Sequence, residues 1–335
     1  MAWLSGWKHR KKITISGSSG AGTNYQVLLK VGESSGATGV HFHLDGKSEN
    51  FPSGKNQSGD IRFTSSDGTT LLDFWVENVT GTSPNRVAYI WVEVADNLNT
   101  SKDIYIYIGN SSATNYSNGD NTFLFFDDFE GTSLDSNKWN THLEWSSGSI
   151  VVSSDEVKLD SAQIISKNYQ VNDGALEYRA RATSGYEITS FARSNVNSGD
   201  ALHNSGTQGY IASNFSGYQN SITVSGYPKA NSANSINANT IYCFRFILQG
   251  VNLIGSRFSD NWTTLQVSTS YTDTGGRTSG YIGLRVDGSG NGNRVAYYDW
   301  IRVRKYVSPE PAFSSAGPIE TFTPLSSRRL LLANW

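Results

Sequence analysis

The chain has a single cysteine, seven prolines and no long run of apolar residues among its 335 positions. One cysteine excludes a framework of disulfide bonds, and the lack of an apolar stretch near 18 residues excludes a membrane-spanning helix. Charged residues are also scarce at 17%, and 27 Lys and Arg against 29 Asp and Glu give a net charge of −2. This balance excludes the broad basic surface on which nucleic-acid binding depends.

Small polar residues and aromatic residues fill the chain instead. Glycine occurs 33 times, aromatic residues make up 12%, and Ser, Asn and Thr are frequent throughout. Strong helix formers are few, whereas the aromatic and β-branched residues that favour strands are common. The composition therefore predicts an all-β protein.

The first third of the chain consists of short alternating segments separated by turn residues. Residues 104–108 read Ile-Tyr-Ile-Tyr-Ile, which places three isoleucines on one strand face and two tyrosines on the other. Residues 87–94 alternate in the same way, and Asp67-Gly68 marks a tight turn. Turn signals about every 8–12 residues predict a β-sandwich over residues 1–120.

A polar stretch at residues 109–121 separates this domain from a second β-rich region, which we place at residues 121–306. About twelve strands are predicted there, a number typical of a two-sheet jelly roll. The predicted fold class is therefore all-β, with two β-sandwich domains and an extended C-terminal tail.

The tail comprises residues 307–335, and residues 307–320 carry three prolines, which favour extended structure. Its end is apolar and includes Leu330, Leu331, Leu332 and Trp335. Because an exposed apolar group of this kind is adhesive, we expect it to dock on a partner subunit or on its own chain. A short strand added to a sheet edge is the alternative.

The first domain resembles a poorly characterised β-sandwich family of archaeal, bacterial and viral surface proteins. The residues that carry the resemblance are Trp7-Lys8 with 12–15, 60–64 with 67–69, 91–94, 104–110 and 125–129. The resemblance implies a surface or adhesive setting and attaches no chemistry to the domain.

The second domain resembles the concanavalin A-like jelly roll that laminin-G-like lectin modules share with laminarinase-type glycoside hydrolases. The resemblance rests on residues 126–131, Trp139, 174–182 and 298–303. The resemblance implies the fold of the domain but not its activity, because this fold is found in lectins, hydrolases, lyases and structural domains.

Catalysis is not expected, because acids are missing where such a hydrolase needs them. A retaining hydrolase requires two carboxylates about 5–5.5 Å apart, and the related enzymes place them on one strand as Glu-x-Asp-x-x-Glu. Residues 195–225, where that strand should lie, contain a single carboxylate, that of Asp200. A hydrolase or lyase with a different site is the weaker alternative.

Glycan recognition uses aromatic faces for the apolar side of a sugar and polar side chains for its hydroxyls. The second domain offers candidates of both kinds in its middle strands and loops. These candidates are Tyr186, Arg193, Tyr210, Tyr218, Asn220 and Trp262. Single aromatic residues are more often part of a core, so the set supports binding only as a group.

One structural Ca²⁺ is the metal that the jelly-roll resemblance implies, bound between the first and last strands. The matching positions are Asp128, Glu130, Gly131 and Asp299, whose oxygen ligands suit a hard cation. The alternative is ordinary hydrogen bonding between paired terminal strands. His41 and His43 lie on one strand face as a possible zinc pair, but no third ligand has suitable spacing.

The N-terminus does not have the order of a secretory signal, because its charges at Lys8–Lys12 follow rather than precede the apolar residues. A surface-type composition without a leader predicts a virion component, a protein released by lysis, or a chain whose leader has been removed.

We therefore expect a non-enzymatic structural or adhesive protein on a virion surface or outside the cell. Its expected partners are other subunits and cell-surface glycans, with no nucleic acid and no membrane insertion. A secreted carbohydrate-binding module of a cellular surface protein is the alternative.

Overall fold

Strands dominate this protein because most of its segments alternate apolar and polar residues. The computed structural model describes residues 2–184, 187–200, 209–215, 218–224, 227–232, 235–287 and 294–323. Within these residues the only helices are a four-residue α-helix at Gly119–Thr122 and a 3₁₀ turn at Asp260–Trp262, and neither could cross a membrane. The prediction of an all-β protein built from sandwich domains is confirmed.

The chain divides into two units. Unit 1 combines Met1–Asn118 with Pro309–Trp335, and unit 2 is the intervening Gly119–Ser308. Unit 2 is therefore inserted in the sequence of unit 1, and the last part of the chain returns to the first unit.

Unit 1 contains two sheets of mostly antiparallel strands. Their bounds are β1 His9–Ser16, β2 Tyr25–Gly32, β3 Phe42–His43, β4 Arg62–Thr64, β5 Leu71–Leu72, β6 Phe74–Thr80, β7 Val87–Val94, β8 Lys102–Ile108 and β24 Ala312–Thr321. One sheet has the order β24-β1-β8-β4-β5 and the other β3-β2-β7-β6. In β1 and β8 the isoleucines at positions 13, 15, 104, 106 and 108 are fully buried, as the alternation in 104–108 predicts for one face.

Strand β24 differs from the extended tail that the sequence predicts after residue 306. It pairs antiparallel with β1, with His9 opposite Thr321 and Ser16 opposite Ala312. The Phe313 ring stacks on His41 at 4.8 Å and also packs against Phe42. Pro318 is tolerated because β24 is an edge strand. The docking of the apolar end at 330–335, for which an edge strand was the alternative, lies outside the described residues and stays a prediction.

Unit 2 contains the remaining strands. Their bounds are β9 Phe125–Asp127, β10 Trp139–Leu143, β11 Ser149–Ser153, β12 Glu156–Asp160, β13 Ala162–Val171, β14 Gly174–Ser184, β15 Glu187–Ser194, β16 Tyr210–Phe215, β17 Tyr218–Val224, β18 Tyr227–Ser232, β19 Tyr242–Gln249, β20 Asn252–Ser259, β21 Leu265–Thr272, β22 Gly280–Arg285 and β23 Val295–Arg304.

These strands form two antiparallel sheets that face each other. A seven-stranded sheet has the order β10-β13-β22-β15-β16-β17-β18. An eight-stranded sheet has the order β11-β12-β23-β14-β19-β20-β21, and its eighth strand, β9, pairs with β23. One apolar cluster joins both sheets, and it includes Leu176, Tyr178 and Phe244 from one and Ile164 and Leu284 from the other. The core of unit 2 therefore lies between the sheets, and each sheet keeps a second, outer face.

Strand β14 shows how the sequence produces this arrangement. Its residues alternate strictly, with Leu176, Tyr178 and Ala180 in the core. The intervening Glu177, Arg179 and Arg181 belong to the opposite face of the sheet. The alternation thus separates an apolar inner face from a charged outer face within one strand.

We predict that Phe313→Ala destabilises the full chain by about 2 kcal/mol, because the ring is half-buried against His41 and Phe42 and anchors β24. Urea unfolding measures the loss. Ser314→Ala, at an exposed position of the same strand, serves as the control and should change stability by less than about 0.5 kcal/mol. Equal stabilities for the two variants would contradict the anchoring role.

Candidate functional site

The outer face of the seven-stranded sheet carries two rows of side chains that run across the strands. Register pairs residues directly opposite one another, so each row holds one residue from every strand that it crosses. The first row is mainly apolar and consists of Asn140, Ile165, Gly283, Phe191 and Ile211. Ile165, Phe191 and Ile211 form a small cluster separate from the main core, covered by Val196 and Tyr281.

Gly283 is required in this row because the Phe191 ring lies over it. A Cβ at position 283 would come within 2.2 Å of that ring and of the Ile164 carbonyl oxygen. A larger residue would therefore displace Phe191 and open the apolar row.

The second row is polar and consists of His142, Gln163, Arg285 and Thr189. Glu144, just beyond the end of β10, reaches into this row. Its Oε1 accepts hydrogen bonds from Gln163 Nε2 and Arg285 Nε, both at 2.8 Å. All three side chains are buried, so the charge of Arg285 is balanced within the protein.

A second acid lies next to this row at the start of β15. Glu187 Oε2 accepts a hydrogen bond from Arg294 Nη1 at 2.8 Å, and its Oε1 accepts one from the Thr189 hydroxyl at 3.1 Å. Burial raises the pKa of Glu187 above its ordinary value, although Arg294 and Arg285 act in the opposite direction. We name Glu144, Gln163, Glu187, Arg285, Asp287 and Arg294 the outer-face cluster.

Tyr298 fixes the backbone beneath this cluster. Its side chain comes from the eight-stranded sheet, and its hydroxyl lies 3.1 Å from the carbonyl oxygens of Thr189 and Arg285. The hydroxyl also accepts a hydrogen bond from the Thr189 N–H at 3.2 Å. A core tyrosine thus ties β15 and β22 together where the cluster side chains originate.

Two residues of the outer-face cluster are partly exposed, and an exposed tryptophan adjoins Glu144 in the sequence. Asp287 and Arg294 each keep 27% of the side chain exposed, and Asp287 pairs with Arg285 at 3.4 Å. Trp145 follows Glu144 directly and is 52% exposed. Trp145 is therefore an exposed indole that follows a residue held by two hydrogen bonds.

The sequence candidates for glycan binding do not form one site. Arg193 is fully buried, and its guanidinium donates to carbonyl oxygens of Asn172, Gly250 and Arg277 and to the Asp173 carboxylate. Tyr210 is buried beside it and donates its hydroxyl to Asp273 Oδ2 at 3.0 Å. Both side chains bind their own chain, which favours a structural role for them.

Asn220 lies inside the sandwich rather than on a ligand-binding face. Its Nδ2 donates to the Gly255 carbonyl oxygen at 2.8 Å, which joins the two sheets. Tyr218 belongs to β17, and the structure describes its backbone alone. Tyr186 and the tail residues Leu330, Leu331, Leu332 and Trp335 lie outside the described residues.

Trp262 lies on the outer face of the eight-stranded sheet, away from the outer-face cluster. It is half-buried and packs against Phe258 and Trp300, with the guanidinium of Arg245 5.1 Å from its ring. Nearby, Glu177 is held by Arg245, Arg302 and Arg304 at 2.6–2.9 Å. Burial alone would raise the pKa of Glu177, but these arginines hold it well below its usual range.

One of the four calcium candidates, Asp299, is already paired with a guanidinium. Asp299 accepts a hydrogen bond from Arg179 Nη1 at 2.6 Å, and the other nitrogens of Arg179 hold Asp260. Glu130 and Gly131 are exposed, and Asp128 is half-buried. Among the described residues no group of three or more His, Cys, Asp or Glu has a metal-binding arrangement. Calcium binding at these four positions therefore stays a prediction.

His41 and His43 also bind within the chain. His43 Nε2 lies 2.8 Å from the Ala37 carbonyl oxygen, and His41 Nδ1 accepts the Lys30 N–H at 3.2 Å. Burial, and then Lys30, lowers the pKa of His41 to about 4, so the ring that stacks on Phe313 is neutral.

The sequence analysis missed Glu144, Glu187 and Trp145. One signal was available in β15, where Glu187 stands at an outward position of the segment Glu-Ile-Thr-Ser-Phe. Glu144, however, lies 43 positions before Glu187 in the sequence. Local spacing cannot indicate that two such residues share an arginine-rich face. Only the order of strands in the sheet brings them together.

The family described as Domain of unknown function (DUF2341) matches residues 57–142. This match covers less than half of the chain and extends from unit 1 into unit 2. It includes several of the segments on which the resemblance of the first domain rests, whereas the surface setting stays a prediction. No curated protein matches this chain.

Several solved structures resemble the chain at low sequence identity. The carbohydrate-binding module CBM66 from Bacillus subtilis has 16% identity and a TM-score of 0.37, and the match covers 50% of this chain and 94% of that one. A β-glucanase from Bacillus licheniformis has 14% identity and a TM-score of 0.39, with 54% and 98% covered. A Bacillus subtilis protein of unknown function with a galectin-like fold has 12% identity and a TM-score of 0.42, with 55% and 97% covered. None of these similarities bears on activity.

The raised pKa of Glu187 predicts a pH-dependent effect of Glu187→Gln. The protonated side chain of Glu187 stabilises the folded protein, and this stabilisation is fully present below the ordinary glutamate pKa of about 4.3. It is lost as the pH rises through the raised pKa that Glu187 has in the folded protein. Urea unfolding at pH 4 and pH 7 should therefore show the variant gaining stability relative to wild type at the higher pH. Glu156→Gln, which removes a partly exposed partner of Arg181, provides the control. A variant that loses relative stability between pH 4 and 7 would contradict the assignment.

Chelation tests the calcium expectation directly. Because Arg179 occupies the neighbourhood of Asp299, we expect EDTA to leave the melting temperature of the full chain unchanged within about 1 °C. Thermal unfolding with added Ca²⁺ serves as the reference. A fall of several degrees on chelation, reversed by Ca²⁺, would establish a bound ion.

Proposed function

We propose that this chain is a non-enzymatic, adhesive surface protein whose unit 2 binds glycans at the rim of the outer-face cluster. The observation that carries the proposal is Trp145, an indole that is 52% exposed and follows the buried, hydrogen-bonded Glu144. Asp287 and Arg294 supply partly exposed polar groups in the outer-face cluster.

The chemistry of these groups matches that of a saccharide. An exposed indole offers an apolar face for the C–H side of a sugar ring, and charged side chains offer donors and acceptors for hydroxyls. The ion pairs of Glu144 and Arg285 beneath the rim fix these groups before binding, which lowers the entropy cost of forming the complex.

Binding is favoured over catalysis because the two glutamates of the outer-face cluster are inaccessible. Glu187 keeps only 1% of its surface exposed, and Glu144 is held by Gln163 and Arg285. A glycosidase needs its acid and its nucleophile in contact with the scissile bond. Neither glutamate meets that condition in its present hydrogen-bonded position.

Glycoside hydrolysis is the second candidate, and one observation favours it. Burial raises the pKa of Glu187, and a carboxylic acid with a raised pKa is what a general acid requires. This role would require the Arg294 pair to open on substrate binding.

We predict that Trp145→Ala weakens the binding of an oligosaccharide found on a glycan array at least tenfold, equal to about 1.4 kcal/mol. Isothermal titration of the full chain measures the affinity. Leu265→Ala, at a 55% exposed position of the same unit, is the matched control and should bind like wild type.

Trp262→Ala localises the interaction, because Trp262 lies on the opposite sheet. Loss of affinity in Trp262→Ala alone would move the site to the eight-stranded sheet and contradict the rim assignment. Cleavage of the bound saccharide by wild type, abolished in Glu187→Gln, would establish the second candidate instead.

We further propose that the protein acts within an assembly of subunits, as a virion component or another surface structure. The support for this setting is compositional: few charges, many polar loops and a tail that ends in apolar residues. The alternative is a secreted carbohydrate-binding module of a cellular surface protein, and both settings are compatible with a glycan-binding rim.

A further inference from the structure

Unit 1 contains a cavity that the proposed function does not use. It encloses about 620 Å³, within the range of small-molecule sites. The lining residues come from both ends of the described chain: Trp3, Leu4, Ser5, Gly6, Trp7, Lys8, His9, Thr321 and Phe322. They meet because β24 pairs with β1 and brings Thr321 opposite His9. We name this cavity the aromatic pocket.

The first wall of the aromatic pocket is the Trp3 indole, and it is held rigidly. The guanidinium of Arg10 lies between the rings of Trp3 and Tyr105, 4.4 Å from each. Trp3 Nε1 donates to the Trp7 carbonyl oxygen at 2.8 Å. Arg10 itself is paired with Glu320 at 2.7 Å, so the stack is anchored by charge.

The second wall is also fixed by its neighbours. Phe322 donates its backbone N–H to the Lys8 carbonyl oxygen at 2.8 Å, and its ring lies 5.5 Å from that of Trp3. Nevertheless, 47% of Phe322 is exposed. Two aromatic rings therefore border the cavity without being part of the core.

The rim of the aromatic pocket is polar but carries little free charge. Lys8 is paired with Glu49, and His9 Nδ1 lies 3.0 Å from the Thr321 hydroxyl. Burial, followed by Lys47 and Lys8, lowers the pKa of His9, which keeps the ring neutral at pH 7. The lining residues include no carboxylate, so a cation would find no counter-charge there.

We propose that the aromatic pocket binds a neutral saccharide residue, seated against Trp3 and Phe322 with its hydroxyls toward Ser5, His9 and Thr321. Rigid aromatic walls suit the apolar side of a sugar ring, and the neutral hydroxyl and imidazole groups suit its polar edge. The site lies in unit 1 and is independent of the rim in unit 2.

Phe322→Ala tests the proposal, because the ring is exposed and its removal should leave the fold intact. We expect titration with a panel of neutral hexose oligosaccharides to show at least a tenfold loss of affinity relative to wild type. Leu71→Ala, 41% exposed in the same unit, is the matched control and should retain wild-type affinity. Trp3→Phe keeps an aromatic wall and should lose less affinity than Phe322→Ala.

The two proposed sites are separated by testing Trp145→Ala against the same panel. Binding that survives Trp145→Ala but is lost in Phe322→Ala supports the aromatic pocket, and the reverse pattern overturns it while leaving the rim proposal standing. The apolar dye ANS provides a further test of the aromatic pocket. If hydrophobic peptides displace ANS from the pocket and no oligosaccharide does, the saccharide proposal is overturned.

Discussion

The register between β13, β22 and β15 is the constraint on which the outer-face cluster depends. Gln163, Arg285 and Thr189 stand opposite one another, and so do Ile164, Leu284 and Ser190 one position along. Because successive residues of a strand point to opposite faces, a slip of one residue would bury Arg285 in the core and expose Leu284. The apolar core and the polar face are thus two consequences of one register.

Charge is used sparingly in this protein, and much of it is concentrated on the outer faces of the two sheets in unit 2. Arg285 with Glu144 and Arg294 with Glu187 occupy one face, while three arginines surround Glu177 on the other. Burying such groups is costly unless every charge is matched. These pairs fix side-chain geometry more than they stabilise the fold, which is the property that a binding surface needs.

Alternation along each strand predicted more of the fold than any motif did. The isoleucines of β8 and the Leu-Glu-Tyr-Arg pattern of β14 are sufficient to identify strands with one apolar face in a core. They do not show that Tyr105, Tyr107 and Glu177, on the other faces, are buried as well. Residue type alone was a weaker guide to function. Arg193, Tyr210 and Asn220 have side chains that suit a sugar chemically, but all three are buried and bind other groups of the chain. Their burial follows from the strand positions that they occupy, and composition carries no information on that.

The amino-acid sequence by itself determined the all-β class, the sandwich architecture and the positions of many strands, because these follow from local periodicity and turn residues. Tertiary structure alone decided which residues meet. It paired β24 with β1 across some 300 positions, formed the aromatic pocket from residues near the two ends of the described chain, and placed Glu144 beside Arg285. The physical reason is that antiparallel sheets order their strands by the burial of whole faces, and contacts between distant residues are set by that order rather than by local sequence.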